Sequence, residues 1–516
     1  MYSSYSSLQQ SQLAAQGYYD TQSTYLLVYA PGRNTALRAT LADQLHRKFR
    51  LADTLGSALT EGVDGVLLVS EDVECMSTAL MCFAKALQDG ADYAVCNAVF
   101  GFGGATALYQ SRAHLAQNRC ALVSRPLLER CRAAAKDPEN VTELLALAAQ
   151  FCAHPARIPQ ALLHYERDIC AEDAFSATGK RAFLMSHVLD MTGAPIVLVS
   201  AVPVLRSMGY EVVVLGPSDG GALQLFVDAG AAVITRPGIR ATPNLWGLAL
   251  CTDLVLVNTV VMARTVRALS GTAVPVLWWL HDAFAGYPHI AHQIPTKLAE
   301  NVRLYSVGHH AANAMHAVRP DFQIGQLIYG LPDYAAEDFP RCDLGYPADK
   351  PLFATVGSFE RRKGHDIFCA AIRLLPEEVR NKATFLFVGM AADKEMMDAV
   401  RSLTTDCPEN VFYCKRLSRD EIKNLMEQCT CLVCASRDDP MPTFVTEGVD
   451  GFVYKDDDPA QLEKLLCWAI EHPDALAAMH DGCRRLYERY YSKEAFSATL
   501  QQAVESLTEQ VQKLED

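Results

Sequence analysis

No stretch of this 516-residue chain is apolar for long enough to span a bilayer. The longest such run, PIVLVSAVPVL, falls well short of the ~18 consecutive apolar residues that a crossing helix needs. The first segment, MYSSYSSLQQSQLAAQGYYDTQST, has no basic stretch followed by an apolar core, so it does not read as a secretory signal. It reads instead as a polar, disordered leader over residues 1–24. Positive charge is in short supply: 46 Lys and Arg stand against 60 Asp and Glu, a formal net charge of −14. That balance argues against non-specific nucleic-acid binding, which needs a basic footprint. The 17 cysteines show neither metal-ligand spacing nor a short secreted framework. Many, such as Cys429, Cys431 and Cys434, lie in apolar contexts, which suits reduced cytosolic thiols. A GxGxxG fingerprint is missing too, and this speaks against a dinucleotide-dependent oxidoreductase.

What is present is enough chain for two to four domains, each able to bury its own core. The most informative stretch runs from Thr355 to Asp366, TVGSFERRKGHD. PLFATVG suits a buried parallel strand and HDIFCAAIRLLPEEV has helical spacing, so SFERRKG is the loop between them. In an open α/β sheet such loops sit where ligands bind. Arg361, Arg362 and Lys363, beside the turn residue Gly364, crowd positive charge there, which suits a phosphate or diphosphate. A solvated basic turn is the plain alternative. Further on, the apolar run CTCLVCAS leads to two acids, Asp439 and Glu447, eight positions apart with Pro442 and Phe444 between them.

This acid, seven residues, acid spacing resembles the motif of retaining family 4 glycosyltransferases, and VGSFERRKGHD resembles that family's strand-loop segment. The resemblance runs from about Arg181 to the C-terminus and implies the GT-B fold, an α/β arrangement of two Rossmann-like domains facing across a cleft. RAFLMSHVLDMTGAPIVLVSAVPVLRSMGYEVVVLG reads as its first βαβ unit, with Gly193 opening the helix, where unpaired N–H groups attract anions. VPVLWWLHD reads as a buried strand ending on Trp278, Trp279, His281 and Asp282, and it resembles the family's histidine segment beside the donor sugar. LIYGLPDY marks the crossing into the C-terminal domain. The expected divisions are 181–335 for the N-terminal, acceptor-side domain and 336–516 for the nucleotide-sugar domain with its final crossing helix.

Residues 25–168 read as a further α/β module. YLLVYAP, GVDGVLLVSEDV and DYAVCNAVF are its strands, and TALRATLADQLHRKF and MSTALMCFAKALQDG its helices. It resembles part of a family 2 glycosyltransferase, a GT-A fold, with CALVSRPLLER and ARIPQALLHYE as later segments. The family's metal-binding acids become Ser70, Glu71 and Asp72. Asp72 is a candidate cation ligand against the alternative of a solvated strand-end acid, and Glu139 stands near the family's catalytic base. Residues 169–180 read as a linker.

By resemblance, the donor is a nucleotide diphosphate sugar and the acceptor a glycan or lipid-linked saccharide, with configuration retained. Lys363 and Arg362 would neutralise the departing diphosphate, Glu447 would accept from the ribose, Asp439 would bind the donor sugar, and His281 would act near the reaction centre. Gly193, Ser358 and Arg361 complete the donor-binding set. Neither a cofactor nor a metal is expected for the GT-B part. The setting implied is cytoplasmic, at the inner face of a bacterial membrane, in cell-surface polysaccharide synthesis. Two departures stand out. Ser358 occupies the place of the family's usual arginine. Glu447 runs directly into Gly448, where on the order of two dozen residues of helix, strand and loop are missing. That loss favours a rival reading, a degenerate glycosyltransferase-like binding or scaffold protein.

Overall fold

The computed structural model describes residues 18–515 except 57, 60–61, 103–104, 111–118, 176–178, 219, 240–246, 334–344, 348, 438–444 and 455–456. The chain divides into two compact units, one of residues 1–279, 293–303 and 501–516, the other of residues 280–292 and 304–500.

The first unit alternates apolar runs with amphipathic segments. Its first elements are β1 (Leu26–Tyr29), α1 (Thr35–Leu41), β2 (Phe49–Ala52), β3 (Gly65–Val69), α2 (Ala79–Gln88), β4 (Tyr93–Phe102) and β5 (Ala105–Gln110). Then come β6 (Cys120–Ser124), α3 (Arg125–Ala134), α4 (Val141–Phe151) and β7 (Pro155–Asp168). After these follow β8 (Lys180–Met185), α5 (Gly193–Ser207), β9 (Tyr210–Gly216), β10 (Ala232–Thr235), β11 (Leu254–Asn258) and β12 (Val276–Leu280). The strands β10–β9–β8–β11–β12 lie side by side and parallel, with β8 in the middle, the doubly-wound pattern expected of a Rossmann-like half. Their side chains are almost entirely buried, which is why they read as continuous apolar runs.

The two expected modules of this unit share a single sheet. The order continues from β10 through β5, β4, β6, β3 and β1 to β2. The join is an antiparallel ladder in which Val233, Ile234 and Thr235 pair with Gln110, Tyr109 and Leu108. Without it, β10 would present a row of unpaired backbone groups at a sheet edge.

Three expectations for this unit need correction. The helix expected over TALRATLADQLHRKF stops at Leu41, and Phe49–Ala52 is a strand. The reason is that Gln44 and His46 are buried and committed to distant backbone. Gln44 Nε2 donates to the Met76 carbonyl at 2.8 Å, and His46 Nε2 lies 3.1 Å from the Thr24 carbonyl. The leader, in its described part, is ordered: Tyr18–Ser23 form a 3-10 helix, with Thr21 and Thr24 buried and Gln88 Nε2 donating to Thr24 Oγ1 at 2.8 Å. The expected linker carries the helical turn Ala171–Ala174, with Ile169, Asp173, Ala174 and Phe175 buried.

The second unit contains β13 (Leu352–Val356), α6 (His365–Leu374), β14 (Thr384–Val388), α7 (Lys394–Asp406), β15 (Val411–Cys414), α8 (Arg419–Gln428), β16 (Cys431–Leu432) and α9 (Pro459–Glu471). The strands form a parallel sheet in the order β15–β14–β13–β16. Phe353, Phe385 and Phe387 pack with Phe368 of α6 on one face, and Leu352, Leu386 and Val388 with Leu425 of α8 on the other. Ser418 and Glu421 form a capping box at the start of α8: Ser418 Oγ accepts from the Glu421 amide, and Glu421 Oε2 accepts from the Ser418 amide at 2.7 Å. The helix expected over HDIFCAAIRLLPEEV is interrupted at Leu375 and Pro376, and Glu377–Arg380 is a separate short helix.

At the other edge, β16 has only two residues, and Leu432 is 42% exposed. Among the described residues no strand pairs beyond it. The last helix, α10 (Lys493–Glu515), starts in the second unit and ends in the first, where Gln510 Nε2 donates to the Glu300 carbonyl at 3.1 Å.

Candidate active site

The cationic loop leaves β13 at its C-terminal end, as the sequence predicts. Gly357 stays tied to the sheet through its amide, which donates to the Val388 carbonyl at 2.9 Å. Phe359 is buried and anchors the loop from below. Arg361, Arg362 and Lys363 then form one 3-10 turn that ends on Gly364 and leads into α6. Arg361 and Arg362 are exposed, and Lys363 is half-buried, its methylenes lying over Gly357. Ser358 is half-buried on the same loop. Four of the expected donor-binding residues therefore share a single turn. Arg362 also pairs with Glu360 at 2.8 Å, a surface contact worth ~0–1 kcal/mol.

Gly364 is required here. Its φ is +67°, and a Cβ would press into the Ala435 carbonyl oxygen. Gly193 is the opposite case. It opens α5, and a Cβ at this position would meet nothing within 4 Å. Gly364→Ala is therefore expected to cost about 2 kcal/mol or more of stability. Gly193→Ala should stay within about 0.5 kcal/mol of the parent. Urea titration of the two variants checks both. If Gly193 admits a ligand to bare backbone, its alanine variant loses binding while keeping its unfolding midpoint.

Arg437, which the sequence reading passed over, braces the turn from behind. Its Nη1 and Nη2 donate to the two Asp366 oxygens at 2.9 and 2.7 Å, and Nη1 also donates to the Arg361 carbonyl at 2.6 Å. Nε donates to Asp457 at 2.6 Å, and the Arg437 amide donates to the Arg362 carbonyl at 2.8 Å. Burial works to raise the Asp366 pKa, but the guanidinium outweighs it and holds the carboxyl below its usual range. The available signal was position: an arginine just past an apolar strand, at the ligand end of a parallel sheet. His365, at the start of α6, was also missed. It is 1% exposed, stands edge-on to Phe359 at 4.7 Å, and burial pushes its pKa down to about 4.

The remaining expected residues are placed less simply. Asp439, with Pro442 and Phe444, lies outside the described residues. Glu447 heads a tight turn instead of a helix: the Gly448 amide donates to the Gly451 carbonyl at 2.9 Å, with Gly448 at φ +72°. Its Oε2 accepts from the Val453 amide at 2.8 Å. His281 follows β12, whose Trp278 and Trp279 are fully buried, and is itself half-buried.

Asp72, the candidate cation ligand, is engaged by the start of α1. Its oxygens accept from the Ala36 and Leu37 amides at 3.1 and 3.0 Å and from Thr35 Oγ1 at 3.0 Å, capping α1. Burial would raise its pKa, yet the bonds from Leu37 and Ala36 prevail and lower it. Beside it, Glu71 accepts from Arg167 at 2.6 Å, and Arg167 also grips the buried Asp173 at 2.6 and 2.9 Å. Glu139 is likewise engaged structurally, accepting from the Leu55 and Gly56 amides at 2.6 and 2.9 Å. Among the described residues no group of three or more His, Cys, Asp or Glu is placed to hold a metal ion. No described helix is long and apolar enough to cross a membrane.

Comparison with known families covers both sides of this arrangement. Residues 178–316 match the family described as Glycosyl-transferase family 4, and residues 338–448 match Glycosyl transferases group 1. These two stretches are family 4 and group 1 glycosyltransferase domains. The group 1 match ends at residue 448, within the tight turn that Glu447 opens. No curated protein matches the chain. Among solved structures, Anabaena Alr3699/HepE in complex with UDP is similar at 14% identity, over 63% of this chain and 100% of that one, with a TM-score of 0.52. Its complex with UDP and glucose gives 16% identity, coverage of 64% and 100%, and a TM-score of 0.51. At such identities the likeness shows the fold, which is GT-B.

Proposed function

We propose that this chain transfers a hexose from a nucleotide diphosphate sugar to a glycan or lipid-linked acceptor, with retention of configuration. The observation that carries the reading is the turn of Arg361, Arg362 and Lys363 at the C-terminal end of β13. It concentrates cationic donors where a diphosphate departs, and such donors act most strongly in a site shielded from water. The solved HepE complexes contain UDP and glucose, and this supports UDP as the nucleotide to try first.

In this reading Lys363 and Arg362 neutralise the leaving diphosphate, and Arg361 and Ser358 flank it. Asp439 holds the donor sugar, His281 donates or accepts a hydrogen bond near the reacting carbon, and Gly193 admits phosphate or acceptor to bare backbone. Glu447 can accept from a ribose hydroxyl through the oxygen not bound to the Val453 amide. No metal or other cofactor is required of the GT-B part. The N-terminal residues 25–168 are read as a partial GT-A-like module without catalytic acids of its own. The setting is the cytoplasmic face of a bacterial membrane, in cell-surface polysaccharide synthesis.

Incubating the protein with UDP-glucose and with other nucleotide sugars, and following nucleotide release with and without oligosaccharide acceptors, tests this. Turnover with one donor supports transfer. Absence of turnover with every donor favours the second reading, a degenerate binding or scaffold protein. One observation supports that reading: Glu447 opens a closed turn and not the helix start that would lie near a diphosphate.

A further inference from the structure

Arg437 lies five positions beyond β16, at the sheet edge where the expected βα unit is missing. Gly357 and Phe359 anchor the loop at its sheet end, and Arg437 braces its far end. Its guanidinium reaches Asp366 at the start of α6, the Arg361 carbonyl within the turn, and Asp457 just before α9. Its own amide adds the Arg362 carbonyl. Asp458, the neighbour of Asp457, caps α9 by accepting from the Gln461 amide at 2.9 Å. Arg437 thus fastens the turn, the helix after it and the approach to α9 at one point.

The donor count separates holding from binding. An arginine has five N–H donors in a fixed fork. Four bonds from Nε, Nη1 and Nη2 are spent on protein oxygens, and the side chain is 18% exposed. Little is left for a phosphate. The paired contact with Asp366 also needs the planar fork, which a lysine does not supply.

We propose that Arg437 is a positioning residue that holds the Arg361–Gly364 turn in the shape that receives the donor's phosphates. The identity of that ligand rests on the glycosyltransferase reading; the holding of the turn does not. Arg437 acts through Asp366 and two backbone carbonyls without touching the donor.

The test uses the full chain with Arg437→Ala, Arg437→Lys and Asp366→Asn, alone and with Arg437→Ala combined with Asp366→Asn. Amide hydrogen exchange is read at the Lys363 and Gly364 amides, which close the turn on the Glu360 and Arg361 carbonyls. UDP affinity is measured beside it. Arg437→Ala should speed exchange in the turn while the β14 amides keep their protection, and UDP affinity should fall by about tenfold, the scale of a broken coupled contact. Asp366→Asn should act in the same direction, the double variant should be less than additive, and Arg437→Lys should restore little. Unchanged exchange in the turn overturns the proposal. So does UDP bound equally by parent and Arg437→Ala, and in that case the glycosyltransferase reading survives. Faster exchange in Arg437→Ala, where the parent itself binds no nucleotide, upholds the holding role and overturns its donor part.

Discussion

Lys363→Ala is expected to lower sugar transfer by about a hundred- to a thousandfold, the usual loss when one preorganised donor to a developing charge is removed. The argument is positional. Lys363 is the half-buried member of the turn, and its stem covers Gly357 at the end of β13. Its stem is held more firmly than those of the exposed Arg361 and Arg362, and a preorganised cation needs little rearrangement as charge develops. Arg362 already shares its charge with Glu360, so Arg362→Ala should cost less. Comparing kcat and KM across both variants checks the ranking. An equal fall in kcat and kcat/KM for Lys363→Ala marks an interaction made in the transition state, whereas a rise in KM alone marks uniform binding. The unfolding midpoint should hardly move.

Acid should weaken the fold well above the range where carboxylates titrate. His365 is neutral and enclosed, and burial holds its pKa near 4 against an ordinary value of 6.5. Asp366 and Glu360 pull that value up, while Lys363 adds to the lowering. Below pH 6.5 the unfolded chain binds a proton at this histidine that the folded chain refuses. The contribution is thus complete above pH 6.5 and is lost as pH falls towards 4. A shift of this size amounts to about 3 kcal/mol. Asp366 has a lowered pKa, so its contribution is lost only below the normal carboxylate value of 3.8, in a separate window. Urea unfolding at pH 7, 5.5 and 4.5 reads the slope. His365→Leu, which cannot titrate, should flatten it across this range, and a slope as steep as the parent's would assign the effect elsewhere.

The elements legible in the sequence were those written in local pattern. PLFATVG became a parallel strand because a largely buried strand reads as an unbroken apolar run. The Ser418 cap and the Gly364 turn were legible because each depends on residues within one helical turn. What failed was settled by contacts distant in sequence. Gln44 and His46 looked like the polar face of a helix, but their partners lie at Met76 and Thr24. Asp72 read as a candidate cation ligand or a solvated strand-end acid, and its bonds to a helix more than thirty positions away were not legible. Arg437 escaped notice because its role depends on Asp366, 71 positions earlier.

The central claim is that the turn from Ser358 to Gly364 receives the diphosphate of a nucleotide sugar. Calorimetric titration of the full chain with UDP, beside Lys363→Ala, tests it most directly. Saturable binding by the parent, weakened at least tenfold in the variant, or by about 1.4 kcal/mol, is the predicted result. UDP bound equally by both proteins, or GDP and UDP both failing to bind the parent, would contradict it.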